Sequence, residues 1–297
     1  MRITEGMIND QSLADIQSIL KRYADLNRQL TSGKTVQYPS DNAAVVSRVS
    51  NLQSRGREID RYLTNISSAE NYNNMYDTIS QEMSTIYTRV KELMVKANTE
   101  LAPEDRKAIS EELVSIRDHF ASLANTKIAG KSIYGGLETD KDVVVKKDGV
   151  WEINISQQAN VQPKVSAGGY DISYGLTVYQ VFQTGNGNSV FSIFDRAINA
   201  VESSDREAID KELGSIEYIE KQNLNSLSKI GGTEKLLEMA KNRFENFKSF
   251  SKEYLSLEYD ADSAEVITQL GMQKMILESA LKTTANVIPK TLVDFIS

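Results

Sequence analysis

Apolar residues recur near both ends of the chain at alternating three- and four-residue steps. Leu13, Ile16, Leu20, Tyr23 and Leu30 form the first such stripe, with Asn27 interrupting it. A stripe this narrow is the seam of a coiled coil rather than the broad apolar face of a globular helix. The run from Ser32-Gly33-Lys34 to Tyr38-Pro39 breaks the pattern, and Ser40 and Asp41 are N-cap candidates for the next helix. Val45, Val49, Leu52, Ile59, Leu63 and Ile66 then keep one heptad phase, while Tyr76, Ile79, Met83, Ile86, Val90, Leu93 and Ala97 keep another. The phase slips around Asn71 to Asn74, which predicts a stutter or local kink. At about 1.5 Å per residue, positions 42 to 99 would span roughly 85 Å, far more than a compact domain. Pro103 stands at the favoured first-turn position of a third helix, striped by Ile109, Leu113, Ile116, Phe120 and Leu123.

From about residue 141 to 183 the period becomes two. Trp151, Ile153 and Ile155 alternate with polar neighbours, and Asp148-Gly149 after Val143-Val144-Val145 is a strong hairpin signal. Pro163, Gly168-Gly169 and Gly175 punctuate further short strands, and Thr184 to Asn188 reads as a closing loop. Helical stripes then resume with Phe191, Phe194, Ile198 and Val201. Ile209, Leu213 and Ile216 lead toward Leu227, Gly231-Gly232 interrupts or tightens the helix, and Leu237, Ala240, Phe244, Phe247 and Tyr254 follow. The last segment sets Val266, Leu270, Leu277, Ala280 and Val287 on one side until Pro289 ends it.

These patterns predict a mainly α chain: a long antiparallel coiled-coil or helical-bundle stem built from the N- and C-terminal segments, with a small inserted β domain. The expected division is a terminal coiled-coil assembly region (1–40 with 258–297), a helical stem (41–140 with 190–257) and a β-rich insertion (141–189). An insertion of that kind should be removable without loss of assembly. The terminal seams ask for partners, because an isolated helix of this kind is marginal in water. Both ends are therefore expected to be disordered in the monomer and to fold on assembly. The expected assembly interface is Leu13, Ile16, Leu20, Tyr23 and Leu30 with Val266, Leu270, Leu277, Ala280 and Val287.

Composition narrows the function classes. The chain has 297 residues, no cysteine, a single histidine (His119) and a formal charge of −7. Disulfides, thiolate metal sites and cysteine nucleophiles are excluded, as is a multi-histidine metal centre. The acidic balance leaves no basic footprint for nucleic acid, and no apolar run is long enough for membrane insertion or a cleavable signal. Ser32-Gly33-Lys34-Thr35 resembles the end of a phosphate loop, but Arg28 stands where that motif needs glycine and a helix stands where it needs a strand. His119 reads as a surface or boundary residue. Glu104-Asp105 and Glu111-Glu112 read as acidic residues placed early in a helix, where negative charge suits the dipole. Trp151, Tyr170, Tyr174 and Tyr179 form a candidate stacking platform, with a small insertion core as the simpler reading. No catalytic residue, cofactor or metal is expected.

Several motifs carry a resemblance. Met1-Arg2-Ile3-Thr4, Gln29-Leu30-Thr31-Ser32-Gly33-Lys34 and Pro39-Ser40-Asp41-Asn42 are similar to the flagellin-like axial proteins of bacterial flagella. So are Leu101 to Arg106, Leu123-Ala124-Asn125-Thr126 and Gly130-Lys131-Ser132-Ile133-Tyr134-Gly135-Gly136. The likeness covers residues 1–137 and 190–297 and leaves the β insertion unmatched. The ending Leu292-Val293-Asp294-Phe295-Ile296 resembles the members found at the hook–filament junction, while Ala285-Asn286 with Pro289 is closer to flagellin itself. The resemblance implies an adaptor ring at that junction, assembled by coupled folding of the terminal helices. The alternative is a short flagellin that forms the filament. The implied partners are copies of the chain in a ring, a larger hook-associated junction protein, flagellin and a flagellar export chaperone. The implied location is the extracellular flagellum, reached by type III export without a cleavable signal.

Overall fold

The computed structural model describes residues 5–100 and 102–287. Helices dominate: α1 (Glu5–Ser32), α2 (Ala43–Ala97), α3 (Pro103–Ala124), α4 (Val178–Val181), α5 (Val190–Ser203), α6 (Arg206–Tyr259) and α7 (Ser263–Val287). Between α3 and α4 lie β1 (Lys127–Ile128), β2 (Lys131–Ser132), β3 (Val144–Lys147), β4 (Val150–Ile153), β5 (Lys164–Ala167) and β6 (Tyr170–Ser173). Consecutive strands pair antiparallel as three two-stranded hairpins. The architecture is mainly α. Contacts divide the chain into two compact units, residues 59–246 and residues 1–58 with 247–297. These limits lie inside α2 and α6, well away from the expected boundaries near residues 40 and 258.

In the 59–246 unit, α2 is one unbroken helix through Asn71–Asn74. Its buried positions are Ile59, Ile66, Ala69, Asn73, Tyr76, Ile79, Ser80, Met83, Ile86, Tyr87, Val90, Leu93, Met94 and Ala97. Ile59, Ile66, Asn73, Ser80, Tyr87 and Met94 run at one heptad phase throughout, and from Tyr76 on Ile79, Ile86 and Leu93 add the predicted second phase, so the buried face shifts without interrupting the helix. The same correction applies to α6, which continues through Gly231-Gly232. Its buried face is Ile209, Glu212, Ile216, Ile219, Asn223, Ser226, Ile230, Leu237 and Phe244. Glu212, not Leu213, takes the second buried place, held by the Arg196 guanidinium at 2.8 and 3.1 Å. The stripes of α3 and α5 are as the periodicity predicts. Pro103 opens α3 with Glu104 and Asp105 in its first turn, and the Ser189 hydroxyl caps α5 by accepting from Phe191 N–H.

The segment expected as a separate insertion does not build a core of its own. Hairpin β3–β4 turns through Asp148-Gly149, both at positive φ (51° and 86°), as a two-residue hairpin turn demands. It docks on α3 and α5: the Trp151 indole N–H donates to Asp118 at 2.8 Å and its ring packs near Phe191. Asp118 also accepts from Arg117, which reaches Asp195 of α5 at 2.6 Å. Hairpin β5–β6 belongs to a different cluster, where Val165, Ala167 and Ile172 pack with Ile59, Ile66, Leu237 and Phe244. Val143, Val144, Ile155, Val178 and Phe182 join the main helical core. Gly175 allows a close approach: a Cβ there would lie 2.4 Å from the Tyr76 ring.

Candidate functional site

The terminal unit carries the residues expected to mediate assembly. α1 ends on Gly33, whose φ of +67° turns the chain out of the helix, and the Ser32 hydroxyl accepts from Lys34 N–H at 3.2 Å. The Ser32–Thr35 motif is therefore a helix-terminating turn. Its backbone then pairs with the α6–α7 junction. Thr35 N–H donates to Tyr259 O at 2.8 Å, and Ala261 N–H donates to Gly33 O at 2.9 Å. The Lys34 ammonium donates to Asp260 at 2.5 Å and lies 4.6 Å from the centre of the Tyr259 ring. That hydrogen bond holds the Asp260 carboxyl below the usual carboxylate range. Arg48 adds a bond to Glu258 at 2.9 Å.

The loop into α2 corrects the expected cap. Asp41 faces backwards and accepts from Tyr38 N–H and Gln37 N–H at 2.9 and 3.1 Å, and these two bonds lower its pKa. Asn42 is the N-cap, its side-chain oxygen accepting from Val45 N–H at 3.2 Å.

Helices α1 and α7 pack on each other. The faces in contact are marked by exposure that falls at three- and four-residue steps. On α7 that face is Val266, buried, followed by Leu270, Gln273, Leu277 and Ala280, half-buried, in the phase the sequence predicts. The Val287 side chain lies outside the described residues. On α1 the face runs through Ile16, Ile19, Tyr23, Leu26 and Leu30, with Leu26 only 7% exposed. This departs from the expected stripe. Ile16, Tyr23 and Leu30 lie on it, whereas Leu13 and Leu20 stand 56% and 46% exposed. Apolar residues occupy two neighbouring phases of α1, and Leu26, beside the Asn27 that interrupts the expected stripe, selects the inner one.

A second, outward set of apolar side chains remains: Met7, Leu13 and Leu20 on α1, and Ile267, Met272, Met275, Ile276 and Leu281 on α7, all at least 46% exposed. Scattered exposed leucines are ordinary, but several on one helix pair mark a contact surface. The sequence showed apolar residues here without showing which of them the chain itself covers.

The candidates for chemistry are dispersed. The single histidine pairs with Glu82 on the surface at 2.9 Å. Glu111 is exposed, and the half-buried Glu112 accepts from Arg89 at 2.8 Å. The four aromatics do not converge: Trp151 sits against Phe191, Tyr174 against Tyr72, the Tyr179 hydroxyl donates to Ile155 O, and Tyr170 is exposed. Among the described residues no cluster of acidic and histidine side chains could hold a metal ion. None of the described helices is long and apolar enough to cross a membrane.

Comparison with known proteins accounts for this arrangement. Residues 3–138 match the bacterial flagellin N-terminal helical region. Flagellar hook-associated protein 3 of Salmonella typhimurium aligns with 95% of this chain and 96% of its own length, at 24% identity. The chain is similar to flagellar hook-associated protein 3 along nearly its whole length. The fold agrees: a putative flagellar hook-associated protein from Vibrio parahaemolyticus superposes with a TM-score of 0.69, at 20% identity, covering 74% of this chain and 99% of that one. Hook-associated protein 3 from Legionella pneumophila superposes at 0.63, with 15% identity, over 70% and 98%. Flagellar hook-associated protein 3 of Escherichia coli aligns likewise, with 95% of this chain at 23% identity.

Proposed function

We propose that the chain is an adaptor at the hook–filament junction, with copies side by side in a ring between a larger hook-associated protein and the first flagellin subunits. One observation carries this reading: the α1–α7 pair buries one apolar face on itself and leaves a further set of large apolar side chains to water. A pair of helices with that much uncovered apolar surface is marginal by itself. Each such side chain gains about 1.5–3 kcal/mol when fully buried, so neighbouring copies supply what the pair lacks. The inner face, with Leu26, Val266, Leu270 and Leu277, then joins the two ends of one chain. The outer face, with Leu13, Leu20, Met275 and Ile276, joins copies. The terminal helices order as they enter the ring, which couples folding to assembly. Before that, the chain leaves the cell by flagellar type III export with no cleaved signal, escorted to the export machinery by a dedicated chaperone.

The test is a strain lacking this chain. Hooks without filaments, and intact flagellin released into the medium, are the expected result. If flagellin itself disappears, the chain is the filament subunit. Purified chain added to sheared filament seeds separates the same readings: an adaptor does not elongate them, whereas a short flagellin does.

A further inference from the structure

Helices α2 and α6 face each other antiparallel across the 59–246 unit, and two buried asparagines cross the seam. Asn73 donates its side-chain amide to Ile230 O at 3.1 Å, and Asn223 donates to Ser80 O and to the Ser84 hydroxyl, both at 2.8 Å. The two contacts share one offset: Ser80 lies seven residues after Asn73, and Asn223 lies seven before Ile230. That offset sets Ile59 opposite Phe244, Ile66 opposite Leu237, Tyr87 opposite Ile216 and Met94 opposite Ile209, all buried. Two surface ion pairs, Glu70–Lys241 at 2.9 Å and Lys91–Glu220 at 2.6 Å, agree with each other in the same way.

The apolar layers alone do not select this register. Both seams repeat every seven residues, so sliding α6 by one heptad again places apolar side chains against apolar side chains. The asparagines do discriminate. After a slide in one direction Asn223 faces Tyr87, with Lys91 one turn on, in place of the small pair Ser80 and Ser84. In the other direction it faces Asn73, another amide. Either way the Ser84 hydroxyl is lost as an acceptor. In the first direction the bulk of Tyr87 also stands where the small Ser80 gave access to the backbone carbonyl, which leaves a buried amide short of a partner at a cost. The asparagines also weaken the seam they specify, because Oδ1 of each is buried with no hydrogen-bond partner.

We propose that Asn73 and Asn223 set the register of the α2–α6 seam, trading stability for a single alignment. The alignment matters to the rest of the chain. Ile59 and Phe244 lie where α2 and α6 leave this unit, and a one-heptad slide offsets those two exits by about 10 Å.

The chain has no cysteine, so engineered pairs report register directly. In the full-length chain, Glu70→Cys with Lys241→Cys reads the observed alignment. Glu70→Cys with Glu234→Cys reads a slide of one heptad, and Lys91→Cys with Leu227→Cys reads the opposite slide. A short bismaleimide bridges two cysteines where the Glu70 and Lys241 side chains meet, and does not bridge pairs displaced by a heptad, about 10 Å. With both asparagines present, only the first pair should crosslink. In the Asn73→Leu/Asn223→Leu background, at least one slid pair should crosslink at least tenfold faster, in a protein that is folded by circular dichroism and melts higher. Exclusive closure of the Glu70/Lys241 pair in that background would overturn the proposal, because the remaining core would then be enough to set the register. Loss of folding would overturn it too, since the apolar layers would not suffice for stability. Asn73→Leu alone, a milder change, should show the same direction of effect.

Discussion

Met275 offers the sharpest perturbation of the proposed ring contact. It stands 64% exposed on α7, away from the side that faces α1. Replacing it with aspartate removes no contact that holds the subunit together, and a surface change of this type stays within about 0.5 kcal/mol. At a contact between copies the same change is severe. The lost burial of a methionine is about 1.5–3 kcal/mol, and an unpaired carboxylate in that position costs several kcal/mol more. The first quantity alone weakens each contact about 10- to 150-fold at ~1.4 kcal/mol per tenfold. Because every subunit in a ring carries the lesion, assembly should fail. The assay is complementation of the deletion strain, with spreading in soft agar and flagellin in the medium as readouts. Thermal denaturation of the purified chain checks that the 59–246 unit is untouched. Met275→Leu, which nearly conserves volume, should restore assembly because it costs less than about 1.5 kcal/mol. Normal filaments and no released flagellin from Met275→Asp would refute the assignment of the outer face.

Three further outcomes follow from the geometry. Gly231 and Gly232 lie inside α6 with open space where a Cβ would stand, so alanine at either should stabilise the chain by roughly 0.5–1 kcal/mol in denaturant titration; a loss of stability would reveal a close neighbour that the structure lacks. Deleting residues 141–183 should abolish cooperative unfolding of the 59–246 unit instead of sparing assembly, because Val143, Val178 and Phe182 belong to the helical core; a sharp thermal transition in the deletion would restore the idea of a separate insertion. Acid should loosen the joint between the α1 turn and the α6–α7 junction. Asp260 and Asp41 are held below their ordinary value of 3.8, so the stability they confer is present above that value and lost as the pH falls through their lowered pKa values. Proteolysis near residues 33–41 should therefore rise only below about pH 4, and a rise already at about pH 6 would point to another group.

How far the sequence reveals this molecule depends on whether the deciding contact is local. The stripes of α3 and α5, the Asp148-Gly149 turn and the end of α1 at Gly33 are set by neighbours a few residues apart, and all were readable. The inner face of α7 was readable for the same reason. On α1, apolar side chains occupy adjacent phases, and only the packing of α7 decides that Leu26 turns inward while Leu13 and Leu20 do not. In α2 the second phase, Tyr76 to Ala97, is buried as the spacing predicts, whereas Asn73 and Ser80 look like breaks in an apolar seam because their partners, Ile230 and Asn223, are far away in sequence. Nothing local shows that the two long hairpins dock on different parts of a helical core, since Trp151 finds Asp118 and Ile172 finds Phe244 only in the folded chain.

The position of the chain along the flagellum tests its proposed role most directly. Tyr170, 65% exposed on the β5–β6 hairpin, can be replaced by cysteine in a protein that has no other, and labelled with maleimide gold on purified flagella. A single labelled band where hook meets filament is the result expected of a junction adaptor. Gold distributed along the whole filament would contradict that role and identify the chain as a flagellin.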